Sequence, residues 1–296
     1  MLEVCCAAQG SYVRHSAAML HSVLEHAPPG GARVHYLHGP RFPAADARKL
    51  GAMVEALGGR MHFVAVDPAQ LRDLPDPHEF TQAMWYRLLL PDLIPDADRV
   101  LYLDVDTLAA DELAPLWATE LGDHSVGAVT NVFERRFAHR PEELGLAGPQ
   151  AYFNSGVLLM NLAAMRDRGA AAALRAYARE RGPDLLWPDQ DALNVVLGAT
   201  RLALHPRWNV MNSTIGFDWA PAAYPPGQVQ EARVRPGIRH FEGPVMNKPW
   251  HLLCDWPHRE LYRHHRRQTP WPRVRPAGLS AHNLWLRARG RTGVSA

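Results

Sequence analysis

Between residues 2 and 103 short apolar runs alternate with stretches of helical spacing, and that alternation limits the chain to very few folds. Residues 2–8 suit a buried strand. Residues 12–26 carry Val13, Ala17, Leu20, Val23 and Leu24 on one helical face, and Pro28-Pro29-Gly30-Gly31 stops them. A second strand is predicted over 33–37, a helix over 43–57 closed by Gly58-Gly59, and a third strand over 61–66. A Pro- and Asp-rich loop to Glu79 leads to a helix over 81–90, with Thr81 as its N-cap, and then to a strand over 99–103. Such spacing implies βαβ units, a mainly parallel sheet and a nucleotide-binding half of about a hundred residues. Further on, strands are predicted over 125–130 and 154–161, an Ala-rich helix over 163–181 and a shorter one over 189–197. Residues 201–248 are rich in loops, and no clean linker appears, so the expectation is one α/β domain with inserted loops.

The predicted strand over 99–103 runs straight into Asp104-Val105-Asp106. Alternate residues of a strand share a face, so the two carboxylates should project together while Val105 points into the core. A strand's carboxyl end is where open α/β sheets bind ligands. Paired carboxylates repel unless a cation or proton lies between them, and Mg²⁺ or Mn²⁺ satisfies such oxygen ligands and shares them with phosphates. Asp104-Val105-Asp106-Thr107-Leu108 also fits the nucleophile motif of haloacid-dehalogenase-like phosphohydrolases. Against that reading, about a hundred residues of βα structure precede the motif here, and no Asp-Asp pair follows Lys248.

A series of segments then follows in order: Tyr86-Arg87-Leu88, Leu101-Tyr102-Leu103-Asp104-Val105-Asp106, Tyr152-Phe153-Asn154-Ser155-Gly156-Val157, Asp189-Gln190-Asp191-Ala192-Leu193-Asn194, Arg207-Trp208-Asn209, His240-Phe241-Glu242-Gly243 and Lys248-Pro249-Trp250. In order and spacing the series resembles glycosyltransferase family 8, which includes glycogenins and bacterial lipopolysaccharide galactosyl- and glucosyltransferases. The resemblance runs from about residue 2 to residue 256. It implies a Rossmann-like glycosyltransferase A-type fold, a UDP-sugar donor and Mn²⁺, with Mg²⁺ as the alternative ion. Asp104, Asp106 and His240 would be the metal ligands, and one imidazole beside two carboxylates suits Mn²⁺ better than Mg²⁺. Gly243 and Lys248 would hold the diphosphate, and Arg87 would reach the donor phosphate or sugar. Asp189 would contact sugar hydroxyls, Gln190 would lie beneath the anomeric carbon, and Asn154 would contact sugar or acceptor; these three form the expected catalytic group. Ordinary capping of a helix N-terminus is the plainer reading of Asp189 and Gln190. Ala7, Ala8, Val105 and Asn131 complete the expected donor site.

Relatives usually carry Asp-Asp-Asn-Tyr after the first strand, whereas this chain has Gln9-Gly10-Ser11-Tyr12. Gln9 can both donate to and accept from uracil, and Tyr12 can stack on the base. The resemblance further implies retention of anomeric configuration. Because the position where a carboxylate nucleophile would be needed holds Gln190, and an amide is a poor nucleophile, front-face attack is the expected route. The altered segment leaves one alternative from another class, a catalytically silent protein that binds sugar nucleotides.

Charge is unevenly distributed. Residues 255–296 hold nine Arg against Asp255 and Glu260, while the preceding 254 carry 23 basic and 28 acidic side chains. Together with the extent of the resemblance, that asymmetry implies a catalytic domain at 1–254 (nucleotide half to about 108, acceptor side 109–254) and a basic helical tail at 255–296. Helices predicted over 258–267 and 283–291 set Leu284, Trp285 and Leu286 among arginines, a pattern suited to peripheral contact with an anionic membrane. The other reading is a solvated tail with Trp285 packed on the body. Basic residues confined to one end, with no recognisable module, argue against nucleic acid. Three cysteines without metal-type spacing read as buried thiols of a reducing compartment, and no run reaches the length of a membrane span. A cytoplasmic enzyme acting on a saccharide or glycolipid acceptor is the expectation.

Overall fold

A computed structural model of the chain describes residues 1–76 and 81–290. Glu79 at the end of the expected loop and Arg291 at the end of the second tail helix lie outside the described residues. Nine strands form among the described residues: β1 (Leu2–Ala7), β2 (Ala32–His38), β3 (Arg60–Ala65), β4 (Arg99–Leu103), β5 (Thr107–Ala109), β6 (Val126–Thr130), β7 (Phe153–Asn161), β8 (Arg201–Ala203) and β9 (Ile238–His240). Seven build one sheet in the order β3-β2-β1-β4-β7-β6-β8, and β5 pairs with β9 in a separate ribbon. Within the sheet β7 alone runs against its neighbours, and the other pairings are parallel. The mainly parallel α/β sheet expected from the sequence is therefore present.

Both faces of the sheet are covered, which is why its strands read as continuous apolar runs rather than alternating ones. On one face Val4, Cys6, Leu101, Leu103 and Val157 pack with α1 (Val13–Glu25) and α2 (Ala44–Ala56) through Leu20, Val23, Leu50 and Val54. On the other, Cys5, Tyr102, Leu158 and Met160 pack with Trp85, Leu88, Leu174 and Leu193. Adjacent Cys5 and Cys6 thus enter opposite cores, as the pleat demands.

Reversal of β7 has a direct consequence for the site. Parallel strands β1, β4 and β6 end at one edge of the sheet, placing Gln9, Asp104 and Asn131 there. An antiparallel strand starts at the edge where its neighbours finish, so Asn154, Ser155 and Gly156 join the same edge. The Asp104 N–H, donating to the Gly156 carbonyl at 2.8 Å, fixes the junction.

Local departures have local causes. The helix predicted over 163–181 divides into Leu162–Asp167 and Ala170–Arg181, because Gly169 takes a left-handed conformation (φ 62°) that only glycine adopts cheaply. Residues Gln82–Leu89 form a 3₁₀ helix that continues into α-helix at Leu90–Leu93, and the Thr81 side chain makes no capping bond. Strands β5 and β8, three residues each, were too short to give a periodicity.

The helix Arg259–Arg267 lies against α1, with Tyr262 and His265 buried. His15 Nδ1 is 2.6 Å from the Tyr262 hydroxyl, and the His15 ring stacks on Trp250 at 4.0 Å. Arg259 is not a surface cation: it donates to the carbonyls of Pro249 (3.0 Å), Cys254 (2.5 Å) and His251 (2.5 Å). In contrast the helix Ala281–Ala288 has no buried residue. Trp285 is 44% exposed, with Arg289 over its ring at 4.2 Å, so it does not pack into the body.

Candidate active site

Strand β4 stops at Leu103, and Asp104-Val105-Asp106 forms a turn rather than the strand extension the alternation suggested. The Asp104 carbonyl closes the turn by accepting from the Thr107 N–H (3.1 Å) and the Thr107 hydroxyl (2.7 Å). Both carboxylates still converge, and Val105 still packs against the core. Pairing of β5 with β9 then sets His240 opposite Thr107, beside Asp106, and the Phe241 N–H donates to the Asp106 carbonyl at 2.9 Å. One ligand atom from each of Asp104, Asp106 and His240 lies within 4.8 Å of the others.

The His240 ring is oriented from behind. Its Nδ1–H donates to Asn209 Oδ1 at 2.9 Å, which turns Nε2 towards Asp106 Oδ1 at 3.3 Å. Gly156 makes room for the ring: a Cβ there would fall 2.3 Å from His240 Cε1.

Two cations balance the carboxylates. Arg87, buried, reaches Asp104 Oδ1 at 2.7 Å, the Ser155 carbonyl at 2.8 Å and Asp189 Oδ2 at 3.1 Å, and its guanidinium stacks over Tyr102 at 4.5 Å. Burial opposes its charge, but Asp104, Tyr102 and Asp189 outweigh burial and keep it firmly protonated. Lys248 Nζ donates to Asp106 Oδ2 and to the Phe241 carbonyl (3.1 Å). Burial pushes the Asp106 carboxyl up, yet Lys248 and His240 hold it well below the usual carboxylate range. Burial likewise disfavours the Lys248 ammonium, and Asp106 more than restores it. Asp189 goes the other way: burial raises its carboxyl, and Arg87 offsets only part of the rise.

Gln190 Oε1 accepts from the Ser155 N–H (2.9 Å) and Asn154 Nδ2 (3.1 Å), while its Nε2 donates to the Tyr152 hydroxyl (3.2 Å). Asn154 in turn reaches Asn131 Oδ1 at 3.4 Å and accepts from Asn209 Nδ2 at 2.8 Å. Behind Tyr152, Asp191 accepts from the tyrosine hydroxyl and from Arg140, both at 2.6 Å. Asp189 and Gln190 belong to the first turn of the helix Pro188–Leu197, but neither is its N-cap residue, which is Trp187. The Asp189 carboxylate accepts from the backbone N–H groups of Asp189 and Gln190 and also meets Arg87, so a helix-terminus role and a contact across the site coexist.

Ala7 ends β1 and Ala8 follows it, ahead of Gln9, whose Nε2 donates to the Tyr86 hydroxyl at 2.7 Å. Tyr12 meets Trp250 edge-on at 5.6 Å. Gly243 has φ 92°, a conformation that favours glycine, and an added Cβ would come 2.9 Å from Asn247 Nδ2. Residue types alone assigned no role to Asn209, Ser155, Gly156, Tyr152 or Asp191. All five lie inside the quoted segments, so the signal was present as co-occurrence but without geometry.

The donor set fits a divalent ion: two carboxylates and an imidazole with its far nitrogen already bonded. A lysine ammonium already stands against Asp106, which marks the position as one favouring a cation.

The model of glycosyl transferase family 8 matches residues 3–254. General stress protein A of Bacillus subtilis is 27% identical over 277 residues, covering 92% of this chain and 95% of the relative. Lipopolysaccharide glucosyltransferase WaaO of Escherichia coli is 28% identical over 243 residues, covering 78% and 67%. A crystal structure of the galactosyltransferase LgtC with donor and acceptor sugar analogues superposes with a TM-score of 0.80 at 25% identity, over 97% of this chain and 100% of that one.

The His240–Gly156 contact yields a test. Gly156→Ala should displace the imidazole and weaken divalent-ion binding by about 10-fold or more, the scale seen when support for a ligand is lost. Calorimetric titration with Mn²⁺, beside a circular-dichroism check of folding, measures it; unchanged affinity would remove His240 from the ligand set.

Proposed function

This chain belongs to glycosyl transferase family 8, and from that premise we propose that it is a retaining, Mn²⁺-dependent hexosyltransferase taking galactose or glucose from a UDP-sugar. Its acceptor in this reading is a hydroxyl of a saccharide or lipid-linked saccharide, in line with the lipopolysaccharide transferases among its relatives. The observation that carries the proposal is the meeting of Asp104, Asp106 and His240 with Arg87 and Lys248 at one sheet edge, next to Gln190 and Asn154. Residues 1–254 would form the catalytic domain, with the nucleotide side to about 108, and 255–296 the basic tail.

A bound divalent ion would supply Lewis-acid stabilisation of charge on the departing diphosphate. Asp104, Asp106 and His240 would hold it, and Lys248 would add a point charge to the same leaving group. Ala7, Ala8, Gln9 and Tyr12 would receive the nucleoside, Val105 and Gly243 would flank the diphosphate, and Arg87, Asn131 and Asp189 would orient the sugar. Gln190 is fixed on both sides of its amide, and an amide is a poor nucleophile, so its role is positioning and dipolar support at the anomeric carbon. Attack from the front face, with the leaving phosphate taking the acceptor proton, then needs no enzyme nucleophile. On the acceptor side, exposed Trp219 stacks on Phe217 at 4.5 Å and donates to the Phe133 carbonyl at 2.9 Å, joining the loops 132–150 and 212–236 into one aromatic surface. The phosphohydrolase alternative loses ground because the Asp104 carboxylate is already engaged by Arg87, which is itself anchored on the Ser155 carbonyl.

For the tail, we extend the proposal to peripheral contact with an anionic membrane. Leu279, Leu284 and Trp285 are exposed, and Arg263, Arg266 and Arg287 of the same tail line a cavity of about 250 Å³. Among the described residues no helix is long and apolar enough to cross a membrane.

Calorimetry of UDP with and without Mn²⁺, on the native chain and on Asp106→Ala, tests the donor assignment. Tight binding requiring both Mn²⁺ and Asp106 is expected, and failure of UDP to bind in either condition would sink the uridine reading. Gln190→Ala should slow transfer on the order of 100-fold without abolishing it, as read from steady-state turnover. A glycosyl adduct trapped on Asp189 would overturn the front-face route. Trp285→Ser combined with Leu284→Ser should abolish sedimentation with phosphatidylserine vesicles while UDP binding persists; undiminished sedimentation would refute the membrane role.

A further inference from the structure

A second group of metal-capable side chains lies away from the donor site, where α1 meets the helix Arg259–Arg267. His21 and Glu25 are one turn apart on α1, and His265 faces them from the later helix. Both imidazoles are buried, whereas the Glu25 side chain is 45% exposed and opens the group to solvent. The two Nδ1 atoms are 3.1 Å apart, and Glu25 Oε2 lies 3.3 Å from His265 Nδ1 and 3.9 Å from His21 Nδ1.

These separations suit a small tetrahedral ion. Bonds of about 2.0–2.1 Å to nitrogen and oxygen put neighbouring ligand atoms of a tetrahedron about 3.3 Å apart. Without an ion, each neutral ring can place at most one N–H at Nδ1, and no choice of tautomers makes hydrogen bonds of all three approaches. We propose that His21, Glu25 and His265 form a second metal site, for a zinc-class divalent ion, with its fourth position open to water beside Glu25. Two nitrogens and one oxygen make this set softer than the donor site's two carboxylates and one imidazole, so Zn²⁺ is favoured here over Mn²⁺. Burial lowers the tendency of both rings to protonate, bringing His265 to about 4, which leaves them as neutral ligands at pH 7.

Its consequence is structural. The ion would join the C-terminal helix to α1, and α1 supports the metal-binding turn of the donor site, since Ser22 Oγ accepts from the Ala109 N–H of β5 at 3.0 Å. The site would thus be a clasp between the tail and the nucleotide-binding half.

The test uses the full chain carrying Asp104→Asn with Asp106→Asn, which removes both donor-site carboxylates, once circular dichroism has shown that this variant is folded. After chelator treatment and dialysis this protein should bind one Zn²⁺ per chain by calorimetry, and Zn²⁺ should raise its thermal unfolding midpoint. Adding His265→Ala should weaken binding at least 100-fold. Adding Glu25→Gln, a substitution at the exposed member that leaves the core intact, should weaken it about 10-fold or more and guards against a folding defect in the first variant. Absence of Zn²⁺ binding in the starting protein would overturn the proposal and leave a bare His-His-Glu hydrogen-bonded group. Binding that survives both added substitutions would overturn it equally.

Discussion

Three carboxylates, Asp104, Asp106 and Asp189, meet at one edge of the sheet, and the rest of the site is arranged to make that tolerable. Two unscreened carboxylates within 4.8 Å of each other repel by roughly 3 kcal/mol at the effective dielectric of a partly buried site. Lys248 holds Asp106, and Arg87 spans Asp104 and Asp189, so every carboxylate meets a cation although two of them share one. The opposite directions in which Asp106 and Asp189 are shifted follow from this division. Asp106 is gripped by an ammonium and an imidazole that together outweigh its burial, while Asp189 shares one guanidinium with Asp104, and burial prevails.

Such a balance can be assembled only if distant segments arrive together, and the fold does this with two reversals. Strand β7 turns against the parallel direction and delivers Asn154, Ser155 and Gly156 to the carboxyl edge. The β5–β9 ribbon then folds a segment more than a hundred residues later back onto the turn after β4, fixing His240 by register rather than by loop closure alone. Behind both, hydrogen bonds run from His240 through Asn209, Asn154 and Gln190 to Tyr152 and Asp191. A continuous polar relay of this kind holds first contacts rigid only while every member is satisfied, and here the members are.

Much of this was legible in the chain, for identifiable reasons. Long strands such as β1, β4 and β7 are buried on both faces, so their apolar runs are unambiguous. The helix α1 has both periodicity and a Pro-Gly stop. Reading failed where a single residue or a three-residue pairing decides the structure: Gly169 splits an Ala-rich helix, and β5 and β8 carry too few residues for a pattern. The carboxylates were found for a partly mistaken reason, since they converge through a turn and not through the strand pleat. Arg259 shows the converse limit. Composition counted it with the tail cations, but its donors are spent on three backbone carbonyls, and only coordinates separate a buried clasp from a surface charge.

Lys248 links charge balance to the proposed chemistry. It occupies Asp106 Oδ2 and has the Phe241 carbonyl as its other acceptor. A divalent ion on Asp106 would take over the carboxylate and displace the ammonium into a site whose nearest anionic groups are already engaged. Losing one partner of a buried pair is costly, on the order of 3–5 kcal/mol when nothing replaces it. A diphosphate is the group that would replace it, since it presents anionic oxygens to the ammonium and to the ion at once. Ion and nucleotide would therefore favour each other's binding, and neither alone would have the full affinity of the pair. In this reading the lysine keeps the site charge-balanced before the donor arrives and becomes part of the donor's own binding surface afterwards.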